Sequence, residues 1–487
     1  MYCNGKRVEK VMEIFSDICG IPRPSGHEEQ IGRFLLDFAK LHGLDASMDR
    51  TGNVIIRKQA SAGMEDRETV ILQAHQDMVC EKEASLVHDF MTQPIETYVE
   101  DGWLKAKGTT LGADDGMGIA MALAILEADD IAHGPLECLF TVSEETGLTG
   151  AMNLEPGVLK GRMLINLDSE DEGQIFIGCA GGMNTGITFD YKPEQAPAGY
   201  FFLQIDIDGL HGGHSGDDID KGYANANKLL VRFLCQSMEK YDLRLCSISG
   251  GNLSNAIPRD ARAVIAVPSA DKESIRVDFN IFASQIENEF HATEHGMVFR
   301  MESAQTAECI ENAVARNIIL ALAAVHNGVY AMSMDVKGLV ETSSNLASIR
   351  TENGQVRIVT SQRSSVESAK LAVRQAVASC FEMAGAKVES SDGYPGWTPN
   401  TDSRLLAIAV SAYSSLYGRD PQVRAIHAGL ECGLFLDSYP ELDMISIGPT
   451  LRGVHSPSER LELATVPMVL DHLAAVLAGI PERNSIE

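Results

Sequence analysis

The stretch LECLFTVSEETGLTG at positions 136–150 runs from an apolar segment straight into two adjacent glutamates. The segment LECLFTV lacks a clean alternation of polar and apolar residues, which reads as a strand covered on both faces. Neighbouring strand residues point to opposite faces, so a structural Glu144–Glu145 pair would push one carboxylate into the core. The pair is therefore either a solvated corner past the strand or two carboxylates with a function. A strand covered on both faces needs helices on either side, and that makes the fold α/β.

The flanking segments extend this pattern. Ser25 and Glu28 have the spacing of a capping box, ahead of a helix with Ile31, Phe34, Leu35, Phe38 and Ala39 on one face. NVIIRK, TVILQAH and RMLINLD read as strands, and GMGIAMALAILEAD as a buried helix. YVEDGWLKA is a hairpin turning at Asp101-Gly102. The expected architecture is a mixed, mostly parallel sheet covered by helices. From about position 187 the texture changes. YKPEQAPAGY (191–200) marks a boundary, and FFLQIDIDGL alternates as an antiparallel strand with one wet face does. Two similar series of strands and helices follow, with Asn353-Gly354 as a turn in the second, up to the turn-rich SSDGYPGWTPN (390–400). The buried texture then returns in PQVRAIHA, GLECGLFLDSY and LDMISIGP, with a last helix near 465–479. Residues 1–186 and 399–487 are thus predicted to form one α/β domain, with an inserted α+β domain over 187–398.

A chain of 487 residues exceeds one ordinary core, in agreement with two domains. A formal net charge of −28 repels phosphates and anionic membrane surfaces, which argues against nucleic acid or membrane partners. The first residues lack a signal-type apolar segment, and no window approaches the roughly 20 apolar residues of a spanning helix. Ten cysteines without a CxxC pair or regular framework read as reduced, mostly buried thiols, so a cytoplasmic location is expected.

In open α/β sheets ligands bind at the carboxyl ends of the strands. Here five such ends carry His75-Gln76-Asp77, Asp114-Asp115, Ser143-Glu144-Glu145, Asp168 and His455. Each has a plain reading taken alone: a surface His-x-Asp pair, a helix cap, a solvated corner or a loop residue. Imidazoles and carboxylates at five strand ends together suit a zinc-type site. A serine nucleophile is not indicated, because GHSG in DGLHGGHSG lacks the G-x-S-x-G spacing.

The order HQD, GADDGMG, SEETG, NLDSE, GVHSP resembles the M20 metallopeptidases over nearly the whole chain. Within that family, TLGADDGMGIAMALAILE, LFTVSEETGLTGA, GNLSNAIPR and HAGLECGLF are most similar to the bacterial aminoacyl-histidine dipeptidase branch. The resemblance implies a catalytic domain with an inserted lid and a co-catalytic pair of zinc ions, with Mn2+ or Co2+ as substitutes. It implies that Asp114 bridges the two ions, His75 and Asp168 complete one site, and Glu145 and His455 complete the other. Asp77 would orient His75, Glu144 would be the general base, and a cis peptide would follow Asp114. His214 would reach the substrate, and Asn255 and Arg363 would grip its carboxylate. His427 and Glu431 flank a helix start and serve either as structural support or as substrate contacts. The implied activity is hydrolysis of unblocked dipeptides, Xaa-His types included, by a protein whose relatives are often homodimers. A related tripeptidase or N-acyl amino acid deacylase is the enzymatic alternative. A non-catalytic peptide-binding scaffold is the alternative of another class, and it would have lost a ligand or the base.

Overall fold

The computed structural model describes residues 5–483, which fall into two units. The first comprises the chain through Gly178, Trp397–Ala425, and the chain from Leu430 onward. The second comprises Cys179–Gly396 together with Ile426–Gly429.

The first unit is built on an eight-stranded sheet in the order Asp45–Met48, Val54–Lys58, Leu136–Thr141, Val70–His75, Met163–Asn166, Asp443–Ser446, Gln174–Cys179, Gln422–Ile426. The four central strands run parallel, with Val70 opposite both Leu136 and Met163, and Asp443 opposite Met163. Pairing turns antiparallel toward the edges, where Val54 lies opposite Phe140 and Ser446 opposite Phe176. The sheet is therefore mixed with a parallel centre. Every residue of Val70–His75 and of Leu136–Thr141 is buried, the polar Gln73, His75, Glu137 and Thr141 included, as strands covered on both faces are. Helices Gly5–Cys19, Glu29–Leu41, Ala113–Glu127, Arg404–Tyr417 and Val466–Gly479 share one core with these strands. Ala113–Glu127 is apolar nearly all round and buried accordingly. The hairpin forms as expected, with Asp101 and Gly102 at φ 51° and 83°.

The capping box does not form. Glu28 is the N-cap residue but makes no side-chain cap, and its carboxylate instead accepts from the Ser143 amide and hydroxyl, both at 2.9 Å. Ser25 donates to Asp77 at 2.7 Å. Glu28 also accepts from the Gly26 amide at 2.8 Å, but the Ser25 hydroxyl and the remaining Glu28 contacts go to partners far away in the chain.

The second unit holds a nine-stranded antiparallel sheet. It is two half-sheets joined through one pairing, Gly250 opposite Ile349. Helices Ala226–Lys240, Lys272–Glu289, Asn312–Ala324 and Glu367–Met383 bury Phe233, Phe279, Ile318 and Phe381 in a common core. Strand Tyr200–Asp208 turns Leu203, Ile205 and Ile207 into that core, as its alternation demands.

Candidate metal centre

All five strand-end clusters converge in the first unit. His75 Nε2 lies 3.0 Å from Asp114 Oδ1 and 3.5 Å from Asp168 Oδ1. His455 Nε2 lies 3.1 Å from Asp114 Oδ2 and 3.1 Å from Glu145 Oε2. Asp114 thus faces an imidazole with each of its oxygens. The peptide between Asp114 and Asp115 is cis.

Supporting residues fix these positions. The Asp77 carboxylate accepts from the amides of Glu144 at 3.0 Å and Glu145 at 3.2 Å, and its Oδ1 lies 3.4 Å from His75 Nδ1. His75 Nδ1 also meets the Asp77 carbonyl at 3.1 Å, so Asp77 orients the imidazole mainly through its backbone while its buried carboxylate shapes the glutamate loop. Ser143 takes a left-handed φ of 51°, which re-aims the chain after the strand and is held by Glu28. This is how both glutamates leave the pleat. The Glu459 carboxylate accepts from the amides of Leu111 at 2.7 Å, Gly112 at 3.0 Å, Ala113 at 2.8 Å and Asp114 at 3.4 Å. Gly112, at φ 68°, must be glycine, since a Cβ there would stand 2.7 Å from Arg23 Nη2 and 2.8 Å from Met78 Sδ. Arg23 in turn donates to the carbonyls of Gln76 at 2.9 Å and Asp77 at 2.6 Å.

Asp115 keeps its plain role. It accepts from the Gly118 amide at 3.0 Å and from the His75 amide at 3.2 Å, and burial lifts its carboxyl to about 8. It also lies within a cluster with His75 and Asp168. Glu431 is fully buried, accepts from Gln73 and Thr141 at 2.7 Å each, and is raised by burial to about 7.

The electrostatics are those of concentrated negative charge. Burial opposes protonation of His75, yet Asp168, Asp114 and Asp77 hold its pKa well above the ordinary value. Hydrogen bonds to Asp114 and Glu145 raise His455 to about 11. Burial pushes Asp168 well up. It does the same to Glu144, where Glu431, Glu145 and Asp114 add to it. Asp77 is held near 2, despite its burial, by His75, Ser25 and the Glu144 amide. Without another cation, these side chains balance one another only by keeping protons. Glu145 Oε1 is buried without a hydrogen-bond partner. Two imidazoles and three carboxylates with an orphaned oxygen fit divalent metal cations.

The remaining predicted residues lie in the second unit. Arg363 donates to Tyr394 Oη at 3.1 Å and to Ser215 Oγ at 3.4 Å, and its Nη2 lies 3.5 Å from His214 Nε2. His214 Nδ1 accepts from the Gly216 and Asp217 amides at 3.3 and 3.2 Å, which puts the ring proton on Nε2. His427 Nε2 meets Ser343 Oγ at 2.8 Å, and its Nδ1 is buried without a partner. Asn255 is exposed and touches this cluster through its carbonyl, which accepts from the Ser215 amide at 2.8 Å. Sequence reading missed the roles of Glu459, Glu28, Arg23, Tyr394 and Ser343. Glu459 lies four residues past His455, and its partners are some 345 residues upstream.

With this geometry in place, comparison with known proteins identifies the class. The model of peptidase family M20/M25/M40 matches residues 71–479, so the chain belongs to that family and is a peptidase. It is 42% identical over 476 residues to the cytosol non-specific dipeptidase of Escherichia coli K12, covering 98% of each chain. It superposes on the crystal structure of aminoacylhistidine dipeptidase from Vibrio alginolyticus with a TM-score of 0.90 and 44% identity, over 97% of each chain. An aminopeptidase from Bacillus cereus shares the fold at a TM-score of 0.57 and 16% identity.

Proposed function

We propose that this chain is a cytoplasmic, zinc-dependent dipeptidase that hydrolyses unblocked dipeptides, Xaa-His substrates among them. The observation that carries this reading is the division of labour at one loop. Glu145 meets His455 at 3.1 Å, while its neighbour Glu144 carries a carboxyl whose pKa burial raises far above the usual range. His75, Asp114 and Asp168 would hold one divalent ion, and Asp114, Glu145 and His455 the other. When bound, such a pair lowers the pKa of water and polarises a peptide carbonyl.

Glu144 then acts on the protons. As general base it accepts the proton of the attacking water, and as general acid it delivers that proton to the leaving amine. A raised pKa suits both halves of this cycle, because base and acid strength are balanced near the working pH. Asp77 keeps the His75 ring and both glutamate amides in place, which preorganises the site.

In this reading His214 and Arg363 grip the substrate. His214 Nε2–H and the Arg363 guanidinium are both donors, 3.5 Å apart, and two facing donors call for an anionic oxygen. A dipeptide's C-terminal carboxylate or the oxyanion of the tetrahedral state meets that need. His427 and Asn255 border the same cluster, and a homodimer is part of this reading.

The test is hydrolysis by zinc- or manganese-loaded protein of Gly-His, β-Ala-His, an unrelated dipeptide, a tripeptide and an N-acetyl amino acid. Cleavage confined to unblocked dipeptides is expected. Cleavage of the tripeptide or the acetylated compound instead would replace this reading with a related M20 activity. No cleavage with metal verified as bound would point to a peptide-binding scaffold.

A further inference from the structure

Away from the metal centre, the sheet of the second unit carries a small core on the face its four helices do not cover. Phe202, Cys246, Ala266 and Cys309 are buried there together, with Ala304 and Ala307 packed on them. Their chain neighbours Leu203, Leu245 and Ile265 point the other way, into the helix-covered core. Cys246 stands at an irregularity: pairing of its strand with Ala261–Pro268 shifts register between Leu245 and Ser247. That shift sets its thiol against Cys309, with the two sulfurs 2.8 Å apart across 63 residues of sequence.

A disulfide has an S–S length of about 2.05 Å, so bond formation asks for a movement of about 0.75 Å. The thiols are 5% and 2% exposed, but the cover is thin, since Gln305, Thr306 and Glu308 are all exposed. The stretch from Ala304 to Glu308 lies outside the named elements, and such segments open locally at low cost. The two thiols share one short contact in which either sulfur can donate, and loss of one proton leaves a thiolate held by the remaining S–H.

We propose that Cys246 and Cys309 form a redox pair, which hydrogen peroxide converts into an intramolecular disulfide clamping strand Arg244–Gly250 to the segment ending at Cys309. The thiolate attacks one peroxide oxygen and the O–O bond breaks. Water leaves with the thiol's proton, and a sulfenic acid remains on that cysteine. The other sulfur then attacks the oxidised one, the S–O bond breaks, and the hydroxyl leaves as a second water with the remaining thiol proton. The two thiols together lose two electrons and two protons, and one peroxide becomes two waters.

The experiment uses the full-length protein, treated with about one to two equivalents of hydrogen peroxide, denatured for thiol counting and mapped by non-reducing peptide mass spectrometry. The reduced chain has ten cysteines. The expected result is a loss of two thiols, a 246–309 cross-linked peptide, and a rise in the melting midpoint on the order of 5–10 °C that dithiothreitol reverses. Cys246→Ala and Cys309→Ser should each abolish the cross-link and the shift. If either variant fails to fold, the mapped cross-link in unsubstituted protein decides the matter. Over-oxidation without a cross-link, or a disulfide joining other cysteines, overturns the proposal.

Discussion

The two polar clusters of this protein solve opposite problems. In the first unit, Asp114, Glu145 and Asp168 crowd around two imidazoles, and burial leaves that charge short of a cation. In the second, the Arg363 guanidinium faces the Nε2–H of a neutral His214, and burial and Arg363 keep His427 neutral, so donors are in excess and an acceptor is wanted. The first cluster sits at the ends of parallel strands, each donor one short loop from rigid backbone. The second is gathered from a glycine-rich loop, a strand and a tyrosine-bearing turn. The lesson is that the protein keeps groups of one kind together where a bound partner, rather than a neighbouring side chain, completes the balance.

The largest expected effect breaks the first cluster at its chemistry. Glu144→Gln should lower kcat by about 10³-fold while metal content, read by elemental analysis, stays unchanged. Full activity in that variant would remove Glu144 from the proton-transfer role. Arg363→Ala attacks the second cluster, and KM should rise about 10- to 100-fold with metal content intact. Equal KM values would show that its charge is not aimed at substrate.

Asp77→Ala touches only the support of the first cluster. Metal affinity, titrated against a chelator, should weaken by about 10- to 100-fold, because both glutamate amides lose their common acceptor and the His75 ring loses the carboxylate beside it. Unchanged affinity would mean that His75 is oriented by other groups.

The smallest effect is read in stability. Burial, then the Arg363 and His214 charges, hold His427 down at about 3. Above the free imidazole's value of about 6.5, folded and unfolded states are both neutral and the contribution is fully present. As pH falls from about 6.5 toward about 3, the unfolded state takes up a proton that the folded state refuses. Stability is then lost at up to about 1.4 kcal/mol per pH unit. His427→Gln should flatten that slope in denaturant titrations between pH 6.5 and 4, and identical slopes would assign the loss to other groups.

What could be read in the sequence follows from distance along the chain. Strand identity, the hairpin and the five strand-end clusters are local patterns, set within some ten residues each, and they emerge in their expected places. The capping box failed for the opposite reason. Ser25 and Glu28 have the right spacing, but their side chains are taken by Asp77 and Ser143, more than 50 residues away. Glu459 was likewise invisible, because four backbone amides over residues 111–114 leave no signature in side-chain chemistry. The boundary of the second unit has a similar subtlety. Ile426–Gly429 belongs to it although its neighbours on both sides belong to the first unit, and His427 goes with it.

The discontinuity of the first unit also has a meaning in time. Its strand Asp443–Ser446 pairs directly with Met163–Asn166, and His455 is the last of the five convergent donors along the chain. At roughly 5–20 residues per second, His455 leaves the ribosome some 15 to 60 seconds after Asp168. The segment between them encodes the whole of the second unit, so that unit is complete while the first still waits for a central strand. The growing chain therefore passes through a period with seven of the sheet's eight strands and only four of its five donors.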